Sequence, residues 1–296
     1  MRLLAFFLLF SIGNLGFAQV EIVAEQDQDR NLTLLAFNNA KIPFTIRIDF
    51  LKLENLESFD GRVIYAVAYP GKTNLVKLRS IYVNDKTGFD YITKLYKGNY
   101  EPSVLEIPDY LLPVQEGTIL SMRPLTSKSP QKQINSESNA YTGVGFFFEK
   151  PTIICAPRKG IISEIKMNSE ETPSGTSDFD SENFVEIYHL DGSFSRLSGL
   201  MPNSTSVAVG EVVFPGQAIG ESSYSLKEEM HHVKMIQSRW KMDDFGIIWV
   251  NFPVPIFASQ QEVQSDEINT ALKSIHPTDL ILMEMDKRER KKYLSN

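Results

Sequence analysis

The chain has 296 residues, of which 42% are hydrophobic and 23% charged, and its formal net charge at pH 7 is -7. This composition is typical of a globular protein, and the length suffices for two modest domains. An acidic chain lacks the basic footprint of most nucleic-acid-binding proteins, so we expect no nucleic acid partner.

The first 18 residues have the pattern of a secretory signal peptide. Arg2 supplies a positive charge, residues 3–10 are apolar, and the small residues Gly16 and Ala18 precede a cleavage point before Gln19. The alternative, a membrane anchor, requires a longer apolar run. We therefore expect an exported protein, periplasmic or secreted after cleavage near Ala18, whose mature chain has no transmembrane span.

Residues 19–125 are predicted to form a small β-sandwich. In the segment 42–50 apolar and polar residues alternate, which is the period of a strand with one buried face. The apolar residues of this segment are Phe44, Ile46, Ile48 and Phe50. Further strands are predicted at 62–69, 75–83 and 87–96, with Pro70-Gly71 as a turn signal. Five to seven short strands of this kind indicate a sandwich.

A polar, Ser- and Gln-containing segment at 126–138 is predicted to be a linker to a second β domain at 139–263. In that domain Asp191-Gly192 predicts a hairpin between strands at 184–189 and 193–200. Glycines at 210, 216 and 220 predict tight corners in a twisted sheet. The fold class is therefore mainly all-β.

The C-terminal segment 264–296 is predicted to be a short helical tail, and Pro277 is placed at the start of a helix. Its basic run at 287–292 is interpreted as a solvated helix end, with contact to an anionic surface as the alternative. The single cysteine, Cys155, excludes an internal disulfide. Its apolar neighbours favour a buried structural thiol over a nucleophile.

The second domain resembles the lysostaphin/LytM-type zinc endopeptidases, which are peptidoglycan hydrolases built on the duplicated hybrid motif. The resemblance covers about 125 residues of the chain, and its glycine and valine run at 207–220 is the most specific part. The arrangement also looks like that of exported members from Bacteroidota-like bacteria. The matching residues are Cys155-Ala156, Gly160, His189-x-Asp191-Gly192, Leu200, Val209-Gly210-x-x-Val213, Gly216-Gln217-x-Ile219-Gly220 and His232.

The resemblance also implies a zinc site, but this chain lacks most of its residues. The family holds zinc with a His, an Asp and the second His of a His-x-His pair, and two further His residues assist catalysis. Gly145 stands at the Asp position, Gly199 at one helper His and Met230 at the first His of the pair. Only His232 remains, since no His precedes His189. A catalytic zinc needs three protein ligands, so we predict no metal and no cofactor.

No other residues are predicted to replace the lost ligands. His231 and His232 are neighbours in a strand and should point to opposite faces. His189 and His276 match no metal position. The carboxylates of Asp178, Asp180 and Glu182 belong to a Ser- and Gly-rich loop that is expected to be solvated, and His232 is interpreted as a hydrogen-bonded relic.

Three functions are compatible with these residues. The first is an exported, non-catalytic envelope protein, similar to degenerate LytM proteins, that binds peptidoglycan or regulates a cell-wall hydrolase. The second is an active zinc metalloendopeptidase with a rearranged metal site that uses His231 or the carboxylates at 178–182. A third, structural role is an assembly subunit whose N-terminal sandwich is the binding module. Because a fold does not settle a function, the partner stays open at this point.

Overall fold

The computed structural model describes residues 19–101, 108–127, 140–169, 182–226, 228–259 and 261–295. The predicted signal peptide and most of the predicted linker lie outside these residues. Within them the fold is all-β apart from two short C-terminal helices. None of the described helices is long and apolar enough to cross a membrane. The chain divides into two compact units, Met1–Asn99 and Tyr100–Asn296.

The first unit contains two antiparallel sheets, as the strand pattern predicts. Its described strands are β1 (Val20–Gln26), β2 (Leu32–Asn38), β3 (Phe44–Glu54), β4 (Leu56–Ser58), β5 (Val63–Ala68), β6 (Gly71–Ser80) and β7 (Gly88–Lys97). One sheet has the order β1-β2-β6-β4, and the other has the order β5-β3-β7. All four alternating apolar residues of β3 are buried, so the predicted inward face is confirmed.

The second unit is built around one large sheet with smaller sheets beside it. Its described strands are β8 (Tyr110–Leu111), β9 (Ile119–Ser127), β10 (Ala140–Phe148), β11 (Ile153–Cys155), β12 (Gly160–Lys166), β13 (Phe184–Tyr188), β14 (Phe194–Ser198), β15 (Val212–Val213), β16 (Ala218–Glu221), β17 (Ser223–Ser225), β18 (Met230–Asp243), β19 (Gly246–Asn251), β20 (Pro255–Ala258), β21 (Gln261–Gln264) and β22 (Asn269–Lys273). The large sheet has the order β15-β12-β13-β14-β18-β10-β9-β22, and β17 and β19 also pair with β18.

The 14-residue strand β18 lies at the centre of this sheet. It pairs with β14 along one edge and with β10 along the other. The hairpin predicted at Asp191-Gly192 joins β13 to β14, and Gly192 has φ +82°, a conformation that favours glycine. Val233 and Met235 of β18 face the hydrophobic core together with Phe146 of β10.

The position at which the chain divides differs from the predicted boundary at residue 125. β9 pairs with both β10 and β22, so residues 119–127 belong to the second unit. The predicted linker begins inside β9, which extends to Ser127. The sequence obscures this arrangement because β9 lies next to the polar segment, and its pairing partners follow that segment in the chain.

The tail predicted to be helical from residue 264 contains a strand before its helices. β22 pairs with β9 at the edge of the large sheet. The helices are α1 (Thr278–Leu282) and α2 (Lys287–Leu294), and Pro277 is the residue that precedes α1 rather than its first residue. Ile281 and Met285 are buried against Leu111, whereas α2 has no buried residue. The basic run at 287–292 therefore lies on an exposed helix.

Candidate functional site

The residues at the family's zinc positions lie on the face of the large sheet opposite its core. Alternation along β10 and β18 sends Phe146 and Val233 to the core and leaves Phe147 and His232 on the other side. We call this second surface the site face. Its residues near the positions of the family's zinc site are Arg123, Gly145, Phe147, Ser198, Gly199, His232 and Lys234.

Gly199 and His232 are in close contact on the site face. A β-carbon on residue 199 would stand 2.8 Å from Nε2 of His232. Gly199 also has φ +80°, which disfavours any residue with a side chain. The position of the family's helper histidine is thus adjacent to the position of its metal ligand, as the resemblance implies, but the imidazole of His232 fills the space that a side chain at 199 requires.

Gly145 is covered in a similar way by an aromatic ring. A β-carbon on residue 145 would lie 2.8 Å from Cε2 of Phe147. The Phe147 ring has its centroid 6.3 Å from that of His232, with 16° between the two planes. The guanidinium carbon of Arg123 lies 4.0 Å from the centroid of Phe147, a cation–π contact. A carboxylate at residue 145 would meet this ring instead of an open cavity.

Met230 and His231 complete the comparison with the family pattern. Met230 begins β18 and pairs with Ser225. The ring of His231 packs edge-on against Tyr224, with 5.2 Å between the centroids. It is directed away from His232, as expected for neighbouring residues of a strand. The structure therefore does not bring His231 and His232 together.

Two ion pairs cross the site face. Lys234 pairs with Glu182, and Arg123 pairs with Glu228. Lys234 also lies opposite both Gly145 and Ser198 in the strand register. Of the acidic loop residues considered for metal binding, Asp178 and Asp180 lie outside the described residues. Glu182 forms an ion pair with Lys234, whereas the sequence predicts a solvated carboxylate.

His232 is buried and electrically neutral at physiological pH. Burial, assisted by Lys234, lowers its pKa to about 4, although Glu182 and the Ser223 backbone oppose the shift. Its Nδ1 has no hydrogen-bond partner, which corrects the expectation of a fully hydrogen-bonded relic. The buried hydroxyl of Ser198 also lacks a partner. This part of the site face thus retains unused hydrogen-bonding capacity.

These residues do not fit a zinc ion. Among the described residues, no group of three or more His, Cys, Asp or Glu side chains is placed to hold a metal. The Phe147 ring, which covers Gly145, packs beside His232, and Lys234 lies on the same face. Lys234 would repel a divalent cation. The remaining chemistry of the site face is hydrogen bonding and aromatic contact.

The remaining residues named from the sequence, His189, His276 and Cys155, make structural contacts. His189 is fully buried, with Nε2 2.8 Å from Oγ of Ser195 and Nδ1 2.7 Å from the carbonyl oxygen of Lys159. Nε2 of His276 lies 3.1 Å from the carbonyl oxygen of Val114. Cys155 is buried, and burial raises the pKa of its thiol to about 11, which confirms the structural interpretation.

The sequence did not reveal a buried ion cluster centred on Arg158, which we call the Arg158 clamp. The Arg158 side chain is 2% exposed. Its guanidinium donates two hydrogen bonds to Glu284, at 2.8 and 2.7 Å, and one to Asp191 at 2.8 Å. Lys159 donates to Glu289 at 2.7 Å. The clamp connects the helical segment to the sheet, and no local pattern in the sequence signals it, because Arg158 and Glu284 are 126 positions apart.

Comparisons with known proteins give weak similarities. No family model matches the chain, and no curated protein matches it. A solved structure of the SpoIIQ–SpoIIIAH pore-forming complex is 17% identical over 49% of this chain and 89% of that chain, with a TM-score of 0.33. The deep-sea M23 metalloprotease pseudoalterin is 12% identical over 57% and 99%, with a TM-score of 0.32. Csd3 from Helicobacter pylori is 10% identical over 93% and 78%, with a TM-score of 0.33. Similarity at this level assigns no family.

Proposed function

We propose that this protein is an exported, non-catalytic cell-envelope protein that retains the surface of a LytM-like domain for binding. One observation carries the proposal. The two positions at which family members have a metal ligand and a helper histidine are glycines covered by the rings of Phe147 and His232. Loss of a ligand alone leaves an open cleft, whereas here the neighbouring side chains occupy the space.

The proposed ligand is peptidoglycan or an envelope protein such as a cell-wall hydrolase. The site face presents the half-exposed guanidinium of Arg123 and two ion pairs, Arg123–Glu228 and Lys234–Glu182, beside the buried His232. Charged groups of this kind suit a ligand rich in amides, hydroxyls and carboxylates, because charge-assisted hydrogen bonds are stronger than neutral ones. The predicted signal peptide supports exposure to this ligand.

Metal analysis and a cell-wall lysis assay test the absence of catalysis. The purified full chain, incubated with zinc and then dialysed, should hold less than stoichiometric metal and should leave purified peptidoglycan sacculi intact. Stoichiometric zinc together with lysis that is lost in His232→Ala would overturn the proposal. That result would favour the alternative, an active endopeptidase with a rearranged site that uses Glu182 or His231.

Co-sedimentation with purified sacculi tests the binding role separately. Arg123→Gln removes a cation that contacts Phe147 on the site face and should reduce the fraction of protein that sediments. The control is Arg79→Gln, since Arg79 is 65% exposed in the first unit and only weakly paired with Glu57. Equal binding by both variants and the wild type would exclude the site face as the binding surface. Absence of binding to sacculi would direct the search to protein partners.

A further inference from the structure

The helix α2 concentrates positive charge in a chain whose formal net charge is -7. Its eight residues read Lys-Arg-Glu-Arg-Lys-Lys-Tyr-Leu, with five cations and one acid. All five cations are exposed, namely Lys287, Arg288, Arg290, Lys291 and Lys292. An exposed cluster of one sign attracts partners of the opposite sign.

The stability of the helix accounts for only part of this charge. Lys291 and Lys292 lie in the last turn, where the helix dipole favours a cation. Lys287 and Arg288 lie in the first turn, where the same dipole disfavours a cation. The first turn is stabilised instead by Asp286, whose side chain accepts hydrogen bonds from two backbone N–H groups of the helix. The two cations of the first turn therefore oppose the local preference of the helix, and helix stability does not explain them.

Four of the cations lie on one side of α2. Successive residues of an α-helix are rotated by about 100°, so residues four positions apart share a face. Lys287 and Lys291 form one row, Arg288 and Lys292 form the next, and together they cover an arc of about 140°. We call these four residues the basic face. Arg290 lies outside this arc and donates to two backbone carbonyls of its own segment.

The side of α2 that carries Glu289 is fastened to the second unit. Glu289 lies about 160° around the helix from Lys291. Its carboxylate pairs with Lys159 at 2.7 Å, and Lys159 also donates to the carbonyl oxygen of Glu284 at 3.0 Å. Glu289 and Asp286 are both engaged in the capping box of the helix. The basic face is therefore turned to solvent, where its four cations form no ion pair with another described residue.

An extended anionic surface fits the basic face better than a small ligand does. The face lies on a single exposed helix and is convex, whereas sites for small molecules are concave. Leu294 and Tyr293 are 66% and 43% exposed at the end of the same helix, and Leu294 lies about 60° around it from Lys291. Cations flanked by exposed leucine and tyrosine are typical of helices that lie on membranes with anionic headgroups.

We propose that the basic face of α2 binds the surface of a membrane that contains anionic phospholipids. Its ammonium and guanidinium groups pair with lipid phosphates, and Leu294 enters the headgroup region beside them. The signal peptide predicted at residues 1–18 supports this partner, because an exported chain meets phospholipid membranes in the envelope. The inference goes beyond the function proposed for the site face and does not depend on the ligand of that face.

Sedimentation with phospholipid vesicles tests the proposal on the mature chain, which begins at Gln19. At low ionic strength the protein should sediment with vesicles of equal parts phosphatidylglycerol and phosphatidylcholine, and not with vesicles of phosphatidylcholine alone. Binding should fall as the salt concentration rises, because salt screens exposed charges. No binding to the anionic vesicles, or equal binding to both kinds, would overturn the proposal. Binding to soluble polyphosphate without binding to the vesicles would also contradict it, since the partner would then be an anionic polymer.

Two double variants with the same change in charge locate the contact. Lys291→Gln with Lys292→Gln should weaken vesicle binding by about 25-fold, or about fivefold for each cation removed from the membrane surface. The control, Lys52→Gln with Lys72→Gln, changes lysines of the first unit that are 61% and 51% exposed, and it should bind like the wild type. Equal losses in the two double variants would show that net charge rather than α2 determines binding, and the proposal would fail.

A fluorescent label reports whether α2 itself meets the lipid. Cys155 is buried, so a cysteine introduced at an exposed position can be labelled selectively with an environment-sensitive dye. The label on Leu294→Cys should emit at shorter wavelength when the anionic vesicles are added. Tyr82 has the same 66% exposure but lies in the first unit, and the label on Tyr82→Cys should not shift. Unchanged emission from the label at residue 294 on bound protein would exclude α2 as the membrane contact.

Discussion

The imidazole of His232 occupies the space beside Gly199, with Nε2 2.8 Å from the point where a β-carbon on residue 199 would stand. The family's helper position and its ligand position are therefore mutually exclusive in this chain. A helper histidine cannot be restored without displacement of His232. This relationship gives the first prediction.

Gly199→Ala should destabilise the second unit more than a matched glycine substitution does. Gly117 has φ +87°, close to the +80° of Gly199, but a β-carbon there meets nothing within 4 Å. Gly117→Ala should cost about 1–2 kcal/mol through backbone strain alone. Gly199→Ala adds about 1–3 kcal/mol from overpacking against His232. Urea denaturation measures both free energies of unfolding.

A control variant isolates the contribution of His232 to the difference in cost between Gly199→Ala and Gly117→Ala. In the background of His232→Ala the two glycine substitutions should have nearly equal costs, since the contacting ring is gone. If Gly199→Ala and Gly117→Ala are equally destabilising in the wild type, the space beside residue 199 is not filled as described.

Protonation of His232 should reduce stability at acidic pH. Its folded pKa of about 4 lies below the usual value of 6.5, so the unfolded chain binds the proton more readily. The contribution of the neutral His232 ring to the free energy of unfolding is complete above about pH 6.5 and is lost as the pH falls toward 4. His189, with a pKa lowered to about 3 mainly by burial, adds to the same trend.

The measurement is the free energy of unfolding across this pH range, with His232→Asn for comparison. The variant should show a pH slope that is smaller by about one proton between pH 4 and 6.5. Because the chain contains four histidines, NMR titration can follow each ring directly. A His232 ring that titrates near pH 6.5 would contradict the buried, neutral state.

Loss of one carboxylate from the Arg158 clamp should be costly. Glu284→Gln removes the charge that receives two hydrogen bonds from a guanidinium with only 2% exposure. Arg158 keeps its ion pair with Asp191, so we expect a loss of about 1–3 kcal/mol, the contribution of hydrogen bonds to a charged group. Thermal unfolding of the full chain measures the effect. Glu267→Gln, at an exposed position in the same unit, should change the stability by less than about 0.5 kcal/mol.

Cys155 should resist thiol reagents while the protein is folded. A pKa of about 11 leaves almost no thiolate at pH 8, and the side chain is buried. Modification by iodoacetamide should therefore follow unfolding, with rapid reaction in guanidinium chloride. Reaction in the native state at the rate of a free thiol would show that β11 opens readily.

No strand is predicted at β1, β2 or β4 of the first unit, but β3 follows directly from alternation in the sequence, because half-buried strands obey a period of two. The boundary between the units does not, since β9 precedes the polar segment but pairs with β10 and β22, which follow it. Such long-range pairing leaves no local signal. The second half of β18 gives no local signal either, because residues 239–243 are exposed or half-buried and lack the buried face on which a strand prediction depends.

The candidate site, too, is predictable from the sequence only in part. The sequence identifies Gly145, Gly199 and Met230 as departures from the family pattern, because identity at a motif position is local information. The identity of the side chains that fill the space around these positions is not local information. The positions of Phe147 over Gly145 and of Lys234 beside Glu182 depend on strand register and on a loop return. The motif predicts the absence of a metal site, and the register shows which side chains lie at these positions.

The Arg158 clamp has a consequence for folding kinetics. It joins residues 126 positions apart in the chain, so its hydrogen bonds form only after the strands between them have assembled. Contacts that are absent from the transition state slow unfolding and leave the folding rate almost unchanged. We therefore expect substitutions in the helical segment, although it is peripheral in sequence, to change the unfolding rate more than the folding rate.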